Sequence, residues 1–127
     1  MGFPSPATDY LEERIDLNKV LIQNPLSTFY FKSEGMSMVN AFIPPKALLV
    51  VDRSVNAQNG DIVIAVVEGE FLVRYLCKND RKCLLRAGNN KINDVEITSE
   101  MDMVIWGVVT SIISQTKDIK NVCAGRL

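Results

Sequence analysis

Between residues 28 and 113 the chain is divided into short β-prone runs, separated by turn signals roughly every ten residues, and such a pattern constrains it to a small β domain. The runs span 28–31, 47–52, 61–67, 70–76, 82–86, 95–98 and 103–113, each rich in β-branched, aromatic or aliphatic residues. Glu68-Gly69 between the third and fourth is a two-residue hairpin turn, in which glycine accepts a positive φ. Six or seven short strands joined this way predict a compact antiparallel or mixed β fold. Strand alternation predicts an inward face made of Leu48, Val50, Ile62, Ile64, Val66, Leu72, Val108 and Ile112.

Ahead of the β runs, a polar, proline-punctuated stretch reads as short helical pieces. Ser5-Pro6 offers a cap with proline at the first helical position, followed by Asp9, Glu12 and Glu13 at the positive end. Asp16 can cap a second turn carrying Leu17, Val20 and Leu21, which Asn24-Pro25 stops. The expected organisation is therefore an arm over 1–26 packed on the sheet, a β domain over 27–116, and a fraying polar tail over 117–127.

At 127 residues the chain fits one domain with one moderate core. Hydrophobic residues at 47% and charged ones at 23% suit a globular protein, and no apolar run approaches the roughly 20 residues that cross a bilayer. The first residues lack the basic and apolar regions of a secretory signal, so a cytoplasmic protein is expected, without membrane contact. A net charge of −1 gives no electrostatic footprint for strong direct DNA binding. Cys77, Cys83 and Cys123 are odd in number and not spaced C-x-x-C, which disfavours both a disulfide framework and a zinc ribbon.

The chain has no histidine. That removes Ser-His-Asp and Cys-His catalysis, the H-E-x-x-H motif and most imidazole metal sites, so no metal or other cofactor is expected. A serine nucleophile in such a chain must rely on lysine or a carboxylate as its base. The candidate is Ser37, in Ser33-Glu34-Gly35-Met36-Ser37-Met38. Gly35 permits a tight turn that presents the hydroxyl, and the backbone around Met36 and Met38 can hold an oxyanion. By itself a G-x-S triplet is common, and an ordinary turn serine competes with this reading.

The order of motifs gives it context. G-x-S-M at 35–38, then Leu48-Leu49-Val50-Val51-Asp52, Asn59-Gly60-Asp61-Ile62-Val63, Gly69-Glu70-Phe71-x-Val73-x-x-Leu76 and Trp106-Gly107-Val108-Val109 resemble the LexA and UmuD family of self-cleaving proteins. Gly2-Phe3-Pro4-Ser5-Pro6-Ala7, Asp9-Tyr10 and Arg14-Ile15-Asp16-Leu17-Asn18 look like the UmuD branch, so the resemblance covers Gly2 to about Ile113. It implies a mostly β, signal-peptidase-like fold with a short N-terminal helical arm. It also implies self-cleavage at a Cys-Gly or Ala-Gly bond, stimulated by the RecA filament on single-stranded DNA, with serine as nucleophile and a neutral, desolvated lysine as base.

Carried over by position, the nucleophile is Ser37 and the lysine belongs in Val73-Arg74-Tyr75-Leu76, where Arg74 stands instead. A guanidinium has no lone pair to offer, so the general-base role is vacant. Lys78 lies about 13 Å further along the strand, too far to substitute. Lys32, on the strand leading into the serine turn, is the alternative base. Where the resemblance implies an Asp-Gly-Asp turn, the chain reads Pro44-Pro45-Lys46-Ala47. The family's cut falls just before Gly-Phe-Pro-Ser-Pro, which makes Gly2 the expected remnant of a cleavage site and this sequence a processed form. Ala87-Gly88 and Ala124-Gly125 are read as chance dipeptides rather than scissile bonds.

The function so implied is an accessory subunit of SOS mutagenesis. It would be a homodimer bound to a UmuC-type Y-family translesion DNA polymerase and acting with RecA, its self-cleavage crippled by Arg74. Two alternatives stand beside it: an active Ser-Lys type self-cleaving peptidase using Lys32, and the C-terminal dimerisation domain of a LexA-like repressor. The dimer is also expected from exposed strand edges, 103–113 among them.

Overall fold

A computed structural model describes residues 14–119. The Ser5-Pro6 cap, Gly2, Cys123, Ala124-Gly125 and the end of the tail lie outside the described residues. Seven strands, β1 (Thr28–Lys32), β2 (Leu48–Asp52), β3 (Ile62–Val67), β4 (Glu70–Lys78), β5 (Cys83–Arg86), β6 (Val95–Ile97) and β7 (Met103–Ile113), form one sheet in the order β1-β2-β7-β3-β4-β5-β6. Every pairing is antiparallel. All the predicted runs become strands, with ends shifted by one or two residues. The 68–69 turn has both residues at positive φ, 50° and 82°, the geometry that suits the right-handed twist of a hairpin.

β7 returns between β2 and β3 and is the central strand, not an edge. The edges are β1 and β6, which removes β7 as a reason to expect a dimer. β7 also carries two bulges: Thr110 is skipped where Val50 and Val51 face Ser111 and Val109, and Trp106 where Ile64 and Ala65 face Gly107 and Ile105. Bulges bend a strand and increase its twist. Laid flat, β1 and β4 would be about 19 Å apart across four strand spacings. Instead, the rings of Phe31 on β1 and Phe71 on β4 have centroids 5.8 Å apart, so the sheet curls until these strands face each other. Trp106, half-buried at its bulge, bridges them, 5.4 Å from Phe29 and 6.3 Å from Phe71.

The core corrects the single inward face expected from alternation. One cluster gathers Leu49, Val51 and Ile64 with Met38, Ala41, Ile43 and Ala47 from the β1–β2 connection. The other, built from the opposite parity of β3 and β4, holds Val63, Ala65, Val67, Leu76, Leu85 and Val108. Ile64, Val50 and Val108 are buried as expected; Ile62, Val66, Leu72 and Ile112 are half-buried, and Leu48 is exposed. Central strands covered on both faces are continuously apolar, so their alternation carries no information about which side is inside.

In the arm, Asp16 caps the helix Leu17–Leu21, its side chain accepting from the Asn18 N–H. No residue of that helix is buried, and a groove of about 210 Å³ separates Leu17, Leu21 and Ile22 from Tyr30, Leu48, Val50 and Ile113. Asp52 ties the end of the arm to the sheet: its carboxylate accepts from Asn24 Nδ2 at 2.7 Å, and also from Ser27 Oγ at 2.8 Å and from the Ser54 N–H and hydroxyl at 2.8 and 2.7 Å.

Candidate active site cleft

The β1–β2 connection leaves and rejoins the sheet through a backbone neck: Ser33 N–H donates to Ala47 O at 2.8 Å, and Lys46 N–H to Ser33 O at 2.7 Å. Within this loop Met38 is the anchor, 2% exposed and in the core beside Ala41 and Ile43. Its carbonyl accepts from Ala41 and Ile43, and its sulfur from the Gly88 N–H at 3.1 Å. Burying Met38 leaves its neighbours Met36 and Ser37 on the outer side of the turn, with Met36 exposed and Ser37 half-buried.

A cleft of about 680 Å³ runs along this turn. It is lined by residues 30–38 on one side, residues 71–74 of β4 on the other, and Ile92. Ser37, Arg74, Gly35, Met36 and Met38 all line it, as does Lys32. Lys78, at the far end of β4, does not. Among the described residues the backbone N–H groups of Met36, Ser37 and Met38 donate to no protein group, and neither does the Ser37 hydroxyl. Those amides are the donors from which an oxyanion hole is made.

Gly35 does not adopt positive φ, and a Cβ built on it would meet nothing within 4 Å, so the turn does not need glycine for its shape.

Arg74 is 8% exposed, although it is charged. Its Nη1 donates to the carbonyl of Val73 at 3.0 Å, and its Nε is buried without a partner. Burial pushes the guanidinium below its ordinary value, and the negative charge of Asp94 acts in the opposite direction. Asp94 itself is engaged by Arg86 Nε at 3.2 Å and by the Ala87 N–H at 3.0 Å. Arginine stays protonated even when partly desolvated, so Arg74 brings a cation to the cleft. Lys32 is exposed.

Two features of the site escape a reading of the sequence. Asn89 Nδ2 donates to Met36 O at 2.8 Å, and Gly88 O accepts from Asn40 N–H at 2.7 Å, so residues 88 and 89 clamp the serine turn from below. A Cβ on Gly88 would come within 3.2 Å of Ala41 Cβ and 3.3 Å of the Met38 Cα. The Ala87-Gly88 pair, read as a chance dipeptide, thus has a packing role, signalled only by its place in a Gly-Asn-Asn turn. Among the described residues no group of histidine, cysteine, aspartate and glutamate side chains could hold a metal ion.

A family model described as Peptidase S24-like matches residues 1–110. The chain belongs to the S24 peptidase family, to which LexA and UmuD proteins also belong. Protein ImpA of Salmonella typhimurium is 40% identical over 119 residues, covering 94% of this chain and 81% of ImpA. Protein SamA of S. typhimurium strain LT2 is 41% identical over 117 residues, 91% of this chain and 80% of SamA. LexA repressor 1 of Geobacter sulfurreducens is 30% identical over 112 residues, 87% of this chain and 55% of the repressor. This S24 chain is thus closer to the ImpA and SamA proteins than to that repressor, in keeping with the UmuD-like resemblance of its motifs.

Proposed function

We propose that this chain is a non-enzymatic or nearly non-enzymatic accessory subunit of SOS mutagenesis. It acts in the cytoplasm as a homodimer, binds a UmuC-type Y-family translesion polymerase and works with the RecA filament on single-stranded DNA. Residues 27–116 form its dimerising β domain, 1–26 its arm and 117–127 its tail. The observation that carries the reading is Arg74 beside the Ser37 turn in one cleft: a serine site of the S24 family with a permanent cation where the base belongs. Similarity to ImpA and SamA over nine-tenths of the chain supports the accessory role. The outer edge of β1, unpaired among the described residues, offers a surface for self-pairing.

Primer extension past an abasic site tests it, with a UmuC-type polymerase and RecA-coated single strands. Bypass rises when this chain is added and rises equally with Ser37→Ala. Bypass unaffected by the chain, or lost with Ser37→Ala, overturns the reading. Light scattering gives twice the chain mass if the dimer is correct.

Two other readings have one observation each. Lys32 lines the cleft and favours an active peptidase, against its exposure. The match to LexA repressor 1 favours a repressor's dimerisation domain, against its lower identity.

A further inference from the structure

Three lysines from three segments of the chain meet at one corner of the sheet. Lys32, the last residue of β1, faces Leu48 across the β1–β2 pairing, and Leu48 faces Ile113 across the β2–β7 pairing, so the three side chains form a row on one face. That face is the outer one, because Phe31, Leu49 and Ile112, the adjacent residues on the same strands, pack in the core. Lys46, from the turn that closes the neck of the serine loop, and Lys117, from the short helical turn Thr116–Asp118, complete a basin of about 400 Å³ here. Among the described residues none of the three lysines forms an ion pair, and the basin has one acidic side chain in its wall, the half-buried Asp118. Lys46 holds its place at φ 70°, a conformation that glycine would adopt freely, and strained backbone of this kind gathers at binding sites.

A concave site lined by one sign of charge focuses its field and draws in groups of the other sign. Leu48 and Ile113, the apolar floor of the basin, also line the groove of about 210 Å³ beside the helix Leu17–Leu21, where Leu17, Leu21, Tyr30 and Val50 join them. Cationic basin and apolar groove therefore share a floor, and one ligand fills both only if its acidic and aliphatic groups are close neighbours. A nucleic acid strand fits this less well. Single strands are held by bases stacked on successive aromatic rings, and Tyr30 is the one ring among the described residues that line the basin and groove. A net charge of −1 over the chain also opposes a long polyanion.

We propose that this corner is a docking site for an acidic, aliphatic peptide segment of a partner protein, its carboxylates held by Lys32, Lys46 and Lys117 and its aliphatic side chains by the groove beside the helix. A lysine ammonium is a compact charge on a flexible stem with three rotatable donors, so the basin reads the sign and number of charges and not one fixed geometry. Burial of aliphatic side chains in the groove supplies the non-directional part of the affinity. Neither Ser37 nor Arg74 lines the basin or the groove, so docking here stands whether or not the cleft is active.

Isothermal titration of the full chain with acetyl-Leu-Val-Leu-Asp-Glu-Asp-amide tests it, beside the same peptide with Asn and Gln in place of its acids and one with Ser in place of its aliphatic residues. The acidic peptide binds about tenfold or more tightly than its uncharged counterpart, as three exposed ion pairs together allow, and it binds less tightly as salt is added. Lys32 also lines the Ser37 cleft, so the substitutions fall on the other two lysines. Lys46→Gly and Lys117→Ala each weaken binding of the acidic peptide by about two- to fivefold, and Lys46→Arg keeps its affinity. Equal affinity for the acidic and uncharged peptides overturns the proposal, and so does an acid preference that survives Lys46→Gly and Lys117→Ala combined in one chain. A serine peptide that binds as tightly as the aliphatic one overturns the part given to the groove. Oligothymidylate that binds more tightly than the acidic peptide, and loses affinity with the same lysines, makes the site one for nucleic acid and overturns the peptide assignment. Peptide binding that splits dimers into monomers, read by light scattering, makes a second copy the occupant and likewise overturns it.

Discussion

A Cβ placed on Gly107 would lie 2.5 Å from Cγ1 of Val51, a core residue on the neighbouring strand. Gly107 sits beside the Trp106 bulge of β7, where the strand bends into the sheet, and glycine is what lets Val51 fill the space above it. Val51 has one stiff side-chain torsion and is fully buried, so it cannot swing away cheaply. Gly107→Ala is therefore expected to destabilise the fold by about 1–3 kcal/mol, the usual range for overpacking. Urea denaturation reads this, and Val51→Ala in the same chain should make the Gly107 change nearly neutral. Independent, additive effects of the two substitutions would show that the contact is not the cause.

Lys46 makes the opposite case. It stands at φ 70° in the Pro44-Pro45-Lys46-Ala47 turn, a region that a side chain with a Cβ occupies at a cost. The turn is held there by the bond from Lys46 N–H to Ser33 O that closes the neck of the serine loop. Here the family resemblance implies a glycine-containing turn, and the structure retains the glycine-like conformation without the glycine. Lys46→Gly should stabilise the protein by about 0.5–1 kcal/mol, after allowing for the added freedom of glycine in the unfolded chain. A lower denaturation midpoint in the variant would contradict this.

Asp52 gives a pH dependence with a definite sign. The bond from Asn24, then those from Ser54 and Ser27, hold its carboxyl well below the usual carboxylate range, with desolvation opposing them. In the unfolded chain an aspartate titrates near about 3.9. The unfolded state thus binds the proton first, and Asp52 contributes stability that is complete above about pH 5 and is lost as the pH falls towards the folded value. Urea midpoints between pH 7 and pH 2 should fall more steeply for the unaltered chain than for Asp52→Asn. Parallel curves would mean that the network does not discriminate between the protonation states.

What the sequence reveals follows from which interactions are local. The strands and the 68–69 hairpin turn are written in residue types and in neighbours close along the chain, so their places are legible to within one or two residues. Ser37 and Arg74 can be placed by resemblance, and the curl of the sheet brings their segments to one cleft. The layout of the core is not legible, because Val63 and Ile64 are both fully buried on opposite faces and alternation cannot rank them. Nor are the Asn89 clamp or the Asp52 network, which join residues 53 and 28 positions apart through single hydrogen bonds that leave no local pattern.

Arg74→Lys is the substitution in which the chemistry of the site is most exposed. If only the base is missing, the unaltered chain should leave a tethered N-terminal arm containing Cys-Gly intact even at high pH, since arginine has no accessible neutral form. Removing one member of a nucleophile and base pair typically costs several orders of magnitude in rate. A lysine at position 74 would share the burial of Arg74, which disfavours its charged form and brings its pKa down towards neutrality, where it can take the Ser37 proton. Cleavage in Arg74→Lys should therefore appear and rise with pH as the ammonium is deprotonated, and adding Ser37→Ala should abolish it. Cutting of the arm is followed by gel mobility across pH 6 to about pH 10, a range that spans both a depressed and an ordinary lysine pKa. Ser37-dependent cutting by the unaltered chain would point to Lys32 as the base and end the inactive-site reading.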